Sequence, residues 1–125
     1  MNKLSVQKSG LNVVYSDYRC SARSRHIDFS LSKDVFEKLI TANCVYCGKP
    51  PSNLKRGYSY NGLDRINQDV GYELGNVFTC CYVCNKWKGE LSLQQFLDHV
   101  KAIVDHSVKL ASDREYAEGL LNGQC

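Results

Sequence analysis

Apolar residues recur at helical spacing along three stretches of the chain and alternate over one more. From residue 13, Val14, Tyr18 and Ala22 share one side, with Arg19, Arg23 and Arg25 between them. That pattern predicts a helix with one apolar and one basic face. Ile27, Phe29 and Leu31 alternate with polar residues, which predicts a short extended segment. Ser32 is placed to cap a helix burying Val35, Phe36, Leu39 and Ile40, a helix expected to end before Asn43. Ser92 and Gln95 have the spacing of a capping box and open an amphipathic helix through Leu93, Phe96, Leu97, Val100, Ile103 and Val104. A second box, Ser112 with Glu115, predicts a short last helix closed by Asn122-Gly123.

The centre of the chain breaks this rhythm. Cys44-Val45-Tyr46-Cys47-Gly48 reads as a tight turn, and Pro50-Pro51 cannot continue a helix. Residues 52–60 are polar and basic, with no element predicted. Residues 62–66 and 76–80 read as two strands joined by a loop holding Gly71 and Gly75. Cys81-Tyr82-Val83-Cys84 reads as a second tight turn, followed by a polar turn through Gly89. The expected organisation is a flexible leader (1–12, broken at Ser9-Gly10), a domain (13–106) and a C-terminal helical extension (107–125).

With 125 residues, 43% hydrophobic and 23% charged, the chain has the composition of one globular domain. No stretch reaches the roughly 18 to 20 apolar residues of a membrane span. The first ten residues hold two lysines and no apolar core, so no secretory signal is expected. Seven cysteines in such a chain point to a reducing cytoplasm, where thiols bind metal or stay free. The net charge of +3 is uneven: residues 1–60 carry ten Lys or Arg against four acids, and residues 61–125 six against nine. A basic half of that size suits a phosphate-rich partner.

The strongest chemical signal is the pair of Cys-x-x-Cys turns, Cys44/Cys47 and Cys81/Cys84, separated by 33 residues. Four thiolates suit one tetrahedral, structural zinc with no open position for water. Cys80 could replace Cys81 only by breaking the two-residue spacing. Cys20 and Cys125 have no partner at metal spacing and are expected to do no chemistry.

Between and after these turns lie Tyr60-Asn61-Gly62-Leu63-Asp64-Arg65-Ile66-Asn67, Gly71-Tyr72, Gly75-Asn76-Val77 and Cys84-Asn85-Lys86-Trp87-Lys88. The arrangement, from Tyr18 to Val104, resembles the HNH endonucleases, the zinc-knuckle branch of the ββα-metal nucleases, and is similar to their small phage-type members. The resemblance implies an α+β fold, a small ββα-metal core between two zinc knuckles flanked by helices. It implies hydrolysis of DNA phosphodiester bonds, with RNA also open as a substrate. It further implies one Mg²⁺ or Mn²⁺ held by Asp64 and Asn85, both oxygen donors suited to a hard cation. Asn76 would hold the hairpin loop in shape, and Lys88 would meet a phosphate. A phage origin, and with it the host cytoplasm, also comes only from this resemblance. A single chain would nick one strand, and double-strand cutting would call for a homodimer or two events.

One position departs from that family. Where most members carry a histidine that takes a proton from the attacking water, this chain has Arg65. A guanidinium stays protonated and cannot act as a base. It can hold a phosphate or stabilise charge in the transition state. Three accounts follow: another group is the base, the ion alone activates the water, or the chain is a catalytically weak or inactive HNH-fold module that binds nucleic acid. His26 and His99 are the substitutes the sequence offers, with His106 near a helix end. Arg19, Arg23, Arg25, Lys55 and Arg56 are the expected DNA contacts, and Tyr58, Tyr60, Tyr72 and Trp87 are available either for stacking or for the core.

Overall fold

The computed structural model describes residues 3–107 and 118–119, so the expected last helix and Cys125 lie largely outside the described residues. Among the described residues eight elements follow in chain order: α1 (Lys3–Ser24), α2 (Lys33–Ile40), β1 (Asn53–Lys55), β2 (Tyr58–Tyr60), β3 (Gly62–Arg65), β4 (Val77–Cys80), α3 (Tyr82–Lys88) and α4 (Leu93–Ser107). They divide into two compact units, one ending at Gly89 and one starting at Glu90.

The first unit is built on α1. This helix begins at Lys3, ten residues before the expected start, so most of the supposed leader is helical. The misreading turned on Gly10. Taken as a breaker, it is a buried helical notch: a Cβ placed there would lie 2.1 Å from Cβ of Tyr58 and 2.9 Å from the Lys55 carbonyl. Its missing side chain lets the β1–β2 hairpin lie against the helix. Gly10→Ala is therefore expected to destabilise the fold by about 1–3 kcal/mol, because overpacking outweighs the gain in helix propensity. A lowered denaturation midpoint would register it, and an unchanged or raised midpoint would contradict the close approach.

At its far end α1 stops in a Schellman turn. Ile27 N–H donates to the Ala22 carbonyl (2.8 Å) and His26 N–H to that of Arg23 (3.1 Å). His26 occupies the left-handed position at φ 56°, a place usually given to Gly. Downstream, Ser32 caps α2 by accepting from Val35 N–H (3.3 Å), as its position in the sequence predicts.

The core gathers Leu11, Val14, Ala22, Leu31, Phe36, Ile40, Tyr58, Leu63, Tyr72 and Val77. Phe36 is fully buried and meets the rings of Tyr15, Tyr18 and Phe29 with centroids 5.1, 5.3 and 6.1 Å away. Tyr72 belongs to this core, in edge contact with Tyr18 and tilted contact with Phe29. Phe29 and Tyr72 also form an isolated parallel bridge, which joins the segment after α1 to the β3–β4 loop.

Two antiparallel hairpins are present. β1 and β2 pair Asn53 with Tyr60 and Lys55 with Tyr58 across the two-residue turn Arg56-Gly57, both residues at positive φ (50° and 78°). The sequence reading missed this hairpin. β3 and β4 pair Gly62 with Cys80 and Arg65 with Val77, close to the expected strands. The chain then enters α3, which replaces the expected polar turn because Cys81 caps it, its sulfur accepting from Cys84 N–H (3.4 Å).

In the second unit α4 matches the predicted helix, and the capping box closes reciprocally. Gln95 N–H donates to Ser92 Oγ (3.1 Å), and Ser92 N–H to Gln95 Oε1 (3.0 Å). Leu97, Val100, Ile103 and Val104 on this helix are exposed, as are His99 and His106.

A four-cysteine cluster and the hairpin that carries Asp64

Backbone hydrogen bonds bring the two cysteine turns together. Cys44 N–H donates to Lys49 O (2.8 Å) and Gly48 N–H to Cys44 O (2.9 Å), which closes the first turn. Val45 N–H donates to Thr79 O (2.9 Å), docking that turn on β4 just before Cys81. Asn61, fully buried, fixes the other side: its N–H reaches Ile40 O, and its Nδ2 reaches Ala42 O and Lys49 O.

As a result one sulfur from each of Cys44, Cys47, Cys81 and Cys84 lies within 4.8 Å of the others. Sγ of Cys47 and Sγ of Cys81 are 3.7 Å apart. Zinc bonded to sulfur at about 2.3 Å sets tetrahedral S···S edges near 3.8 Å, so the donor set and its spacing fit that ion. Burial disfavours charge on Cys44, yet backbone N–H groups of Cys47, Cys81 and Tyr46 outweigh it and leave the thiol lowered to about 6. Cys84 is pushed up by burial and by the neighbouring sulfurs. Cys80 stands apart. It is fully buried, donates to the Cys81 carbonyl (3.3 Å), and burial pushes its pKa up. Cys20 is exposed and outside the cluster.

Beside this cluster, Asp64 on β3 is 5% exposed and tightly engaged. The Lys88 ammonium is 3.2 Å from Oδ2 and 3.3 Å from Oδ1, and Tyr46 hydroxyl donates to Oδ2 at 2.6 Å. Burial, then the bond to this carboxylate and its charge, push the Tyr46 phenol up and keep it a donor. Lys88, expected to meet a phosphate, is 2% exposed. Its position is set by helical geometry: Cys84 and Lys88, one turn apart, are the buried residues of α3.

Arg65 takes a structural position not foreseen from its sequence context. Its guanidinium donates to the carbonyls of Gln68 (2.8 Å) and Val70 (3.1 Å) and to Gln68 Oε1 (2.9 Å), and it lies 5.5 Å from the centroid of Tyr72. Asn76 works on the same loop from the position just before β4. Nδ2 lies 2.8–3.1 Å from the carbonyls of Asn67, Val70 and Gly71, while Oδ1 accepts from Asn67 N–H at 2.9 Å. At about 0.5–1.5 kcal/mol net per bond, Asn76→Ala is expected to cost about 2–4 kcal/mol. Hydrogen exchange should show the Asn67 and Ile66 amides losing protection first, and uniform loss across the unit would argue against a local clamp.

Asn85 is exposed and lines a polar groove of about 490 Å³ with Asp17, Tyr18, Ser21, Arg25, Leu63 and Tyr72. In that groove Tyr18 oxygen accepts from Leu63 N–H (3.0 Å), and burial pushes its phenol up to about 12. Arg25 donates to Tyr72 hydroxyl at 3.0 Å. The other expected DNA contacts are dispersed. Arg19 and Arg23 line a separate depression with His26 and Asp28, and Lys55 pairs with Asp17 at 3.5 Å. Arg56 donates to Ser9 Oγ at 3.4 Å. Trp87 is 73% exposed, whereas Tyr58 and Tyr72 are buried and Tyr60 is half-buried.

With this geometry in hand, the chain can be set beside known proteins. No family model matches it. Over 83 residues, 66% of the chain, it is 40% identical to an uncharacterized protein of Acanthamoeba polyphaga mimivirus. The match spans only 15% of that protein's length. Among solved structures it is similar to the rare-cutting HNH restriction endonuclease PacI, a protein described by its mechanism of DNA perturbation. The TM-score is 0.57 at 21% identity, covering 74% of this chain and 75% of that one. The chain therefore has an HNH-like α+β fold with a four-cysteine cluster able to hold a metal ion. Among the described residues, no helix is long and apolar enough to cross a membrane.

Proposed function

We propose that the chain is a metal-dependent endonuclease that hydrolyses DNA phosphodiester bonds, with zinc at Cys44, Cys47, Cys81 and Cys84 as architecture. The reading rests chiefly on the HNH-like fold, with Asp64 on β3 and Asn85 on α3. Their carboxylate and amide oxygens are donors that a hard cation prefers, and each carboxylate oxygen can accept two contacts. Oδ2 of Asp64 is met by Tyr46 and Lys88 and Oδ1 by Lys88, which leaves a place at Oδ1. A Mg²⁺ or Mn²⁺ ion bound there would supply polarisation of the scissile phosphate and neutralise the departing oxygen. Arg25, fixed at the groove beside Asn85, holds the phosphodiester backbone, and Arg19, Arg23, Lys55 and Arg56 extend that contact along the nucleic acid. Arg65 acts indirectly, by shaping the loop that follows Asp64.

Supercoiled plasmid incubated with the protein and Mg²⁺ or Mn²⁺ is expected to convert to the nicked form, and chelation of the added ion should stop it. A second reading, a binding module without catalysis, is favoured by two observations: the Asp64 charge is already balanced by Lys88, and no histidine follows it. Retention of plasmid in a gel shift with no nicking under either ion would decide for that reading.

A further inference from the structure

The arrangement around Asp64 carries one step more. We infer that the Lys88 ammonium competes with the divalent ion for the Asp64 carboxylate, so that the free chain holds the ion weakly and nucleic acid strengthens the hold by drawing Lys88 away. This rests on the reading of Asp64 as an ion ligand. Nζ of Lys88 lies almost equally far from both carboxylate oxygens, 3.2 and 3.3 Å, in the position a cation takes before a carboxylate. Both side chains are buried, at 2% and 5% exposure, so solvent and salt screen the pair little. Among the described residues the four cysteines form the one cluster of three or more potential metal ligands, and Asp64 belongs to no such cluster. A single negative charge cannot favourably hold both an ammonium and a divalent cation a few ångströms apart. Lys88 is the last residue of α3, and its four-carbon stem ends in a point charge that a phosphate can accept. An incoming phosphodiester thus offers Lys88 another partner at the moment the ion is needed.

The test is Mn²⁺ binding by the full, zinc-supplemented chain, followed by the electron paramagnetic resonance of free Mn²⁺. It is run with and without a short phosphorothioate duplex. Couplings between ligands are typically about 5- to 150-fold. Lys88→Met is expected to tighten Mn²⁺ binding within that range without DNA, and DNA should tighten it in the wild type but not in the variant. If Asp64→Asn binds Mn²⁺ as the wild type does, the ion lies elsewhere, and both the site reading and the competition fall. If Asp64→Asn loses the ion while Lys88→Met gains nothing, the site stands and the competition alone is overturned. Should Lys88→Met not fold, the wild type still decides. The Nζ resonance of Lys88 in a ¹⁵N-lysine spectrum is expected to move or broaden as Mg²⁺ is added in the presence of the duplex. An unmoved resonance while Mg²⁺ binds overturns the proposal.

Discussion

Stripping the metal from Cys44, Cys47, Cys81 and Cys84 is expected to unfold the unit that ends at Gly89. The sulfurs join two segments 33 residues apart, and the elements between them are strands of three or four residues. Hairpins that short have little stability of their own in water. Structural zinc contributes an apparent 10–16 kcal/mol in small metal-dependent modules, against a whole-domain stability of about 5–15 kcal/mol. Its loss is therefore as large as the whole stability of a domain of this size. Without the cation, the thiolate on Cys44 would also face three other sulfurs, two of them buried. Circular dichroism during chelation, with zinc release followed by a chromogenic chelator, should show loss of signal with one equivalent released per chain, and readdition should restore it. Cys84→Ser should behave like the chelated protein. Acid should release the metal too, because thiolates bind it and thiols do not. A chain that stays folded after losing its metal would remove zinc from its place as architecture.

The second large effect is at Asp64, where stability and chemistry are entangled. Asp64→Ala removes the proposed ion ligand and also leaves the Lys88 ammonium buried without a counter-charge. Breaking such a pair from one side costs about 3–5 kcal/mol, so loss of nicking in this variant alone is ambiguous. Pairing Asp64→Asn with Lys88→Met separates the two effects. The double variant deletes both charges and keeps their shapes, so its stability is expected to recover most of what Asp64→Ala loses. Its nicking should nevertheless remain at least about a hundredfold below wild type, since even residues that merely support a ligand cost about 10- to 100-fold. Thermal melts beside the plasmid assay measure both quantities. Nicking that recovers along with stability would show that Asp64 serves the fold and not the reaction.

How much of this could be read from the sequence depended on whether the signal was local. α2 and α4 were legible because their caps and apolar spacing lie within a few residues, and the hydrogen bonds of Ser32, Ser92 and Gln95 form between those same residues. The β1–β2 hairpin was not, because its turn places Arg56 rather than Asn before Gly57 and its strands are three residues long. The start of α1 was hidden by Gly10, whose reason for being glycine lies 48 residues away at Tyr58. The same division holds at the candidate site. Cysteine spacing marks the four sulfurs that the chain gathers, whereas nothing near Lys88 in sequence says that it turns inward to Asp64. Tyr46 could have been suspected, since it sits inside the first cysteine turn, but its hydrogen bond to Asp64 depends on how that turn docks against β4. Arg65, read against the histidine of a resembling family, suggests a contact to phosphate, and nothing near it in sequence says that its guanidinium donates to the loop beside it.

Tyr72 has a consequence for how the groove meets an anion. One guanidinium, Arg25, is hydrogen-bonded to its hydroxyl, and a second, Arg65, lies over its ring, so a single buried aromatic sets the direction of two cations. Immobilising a flexible side chain at an interface costs about 0.5–1.5 kcal/mol. For these two arginines much of that ordering is completed during folding. On the proposed reading a phosphate reaching the groove would find the Arg25 charge already aimed, and Tyr72→Phe, which releases Arg25 while keeping the ring, makes the entropy of that aiming accessible to calorimetry.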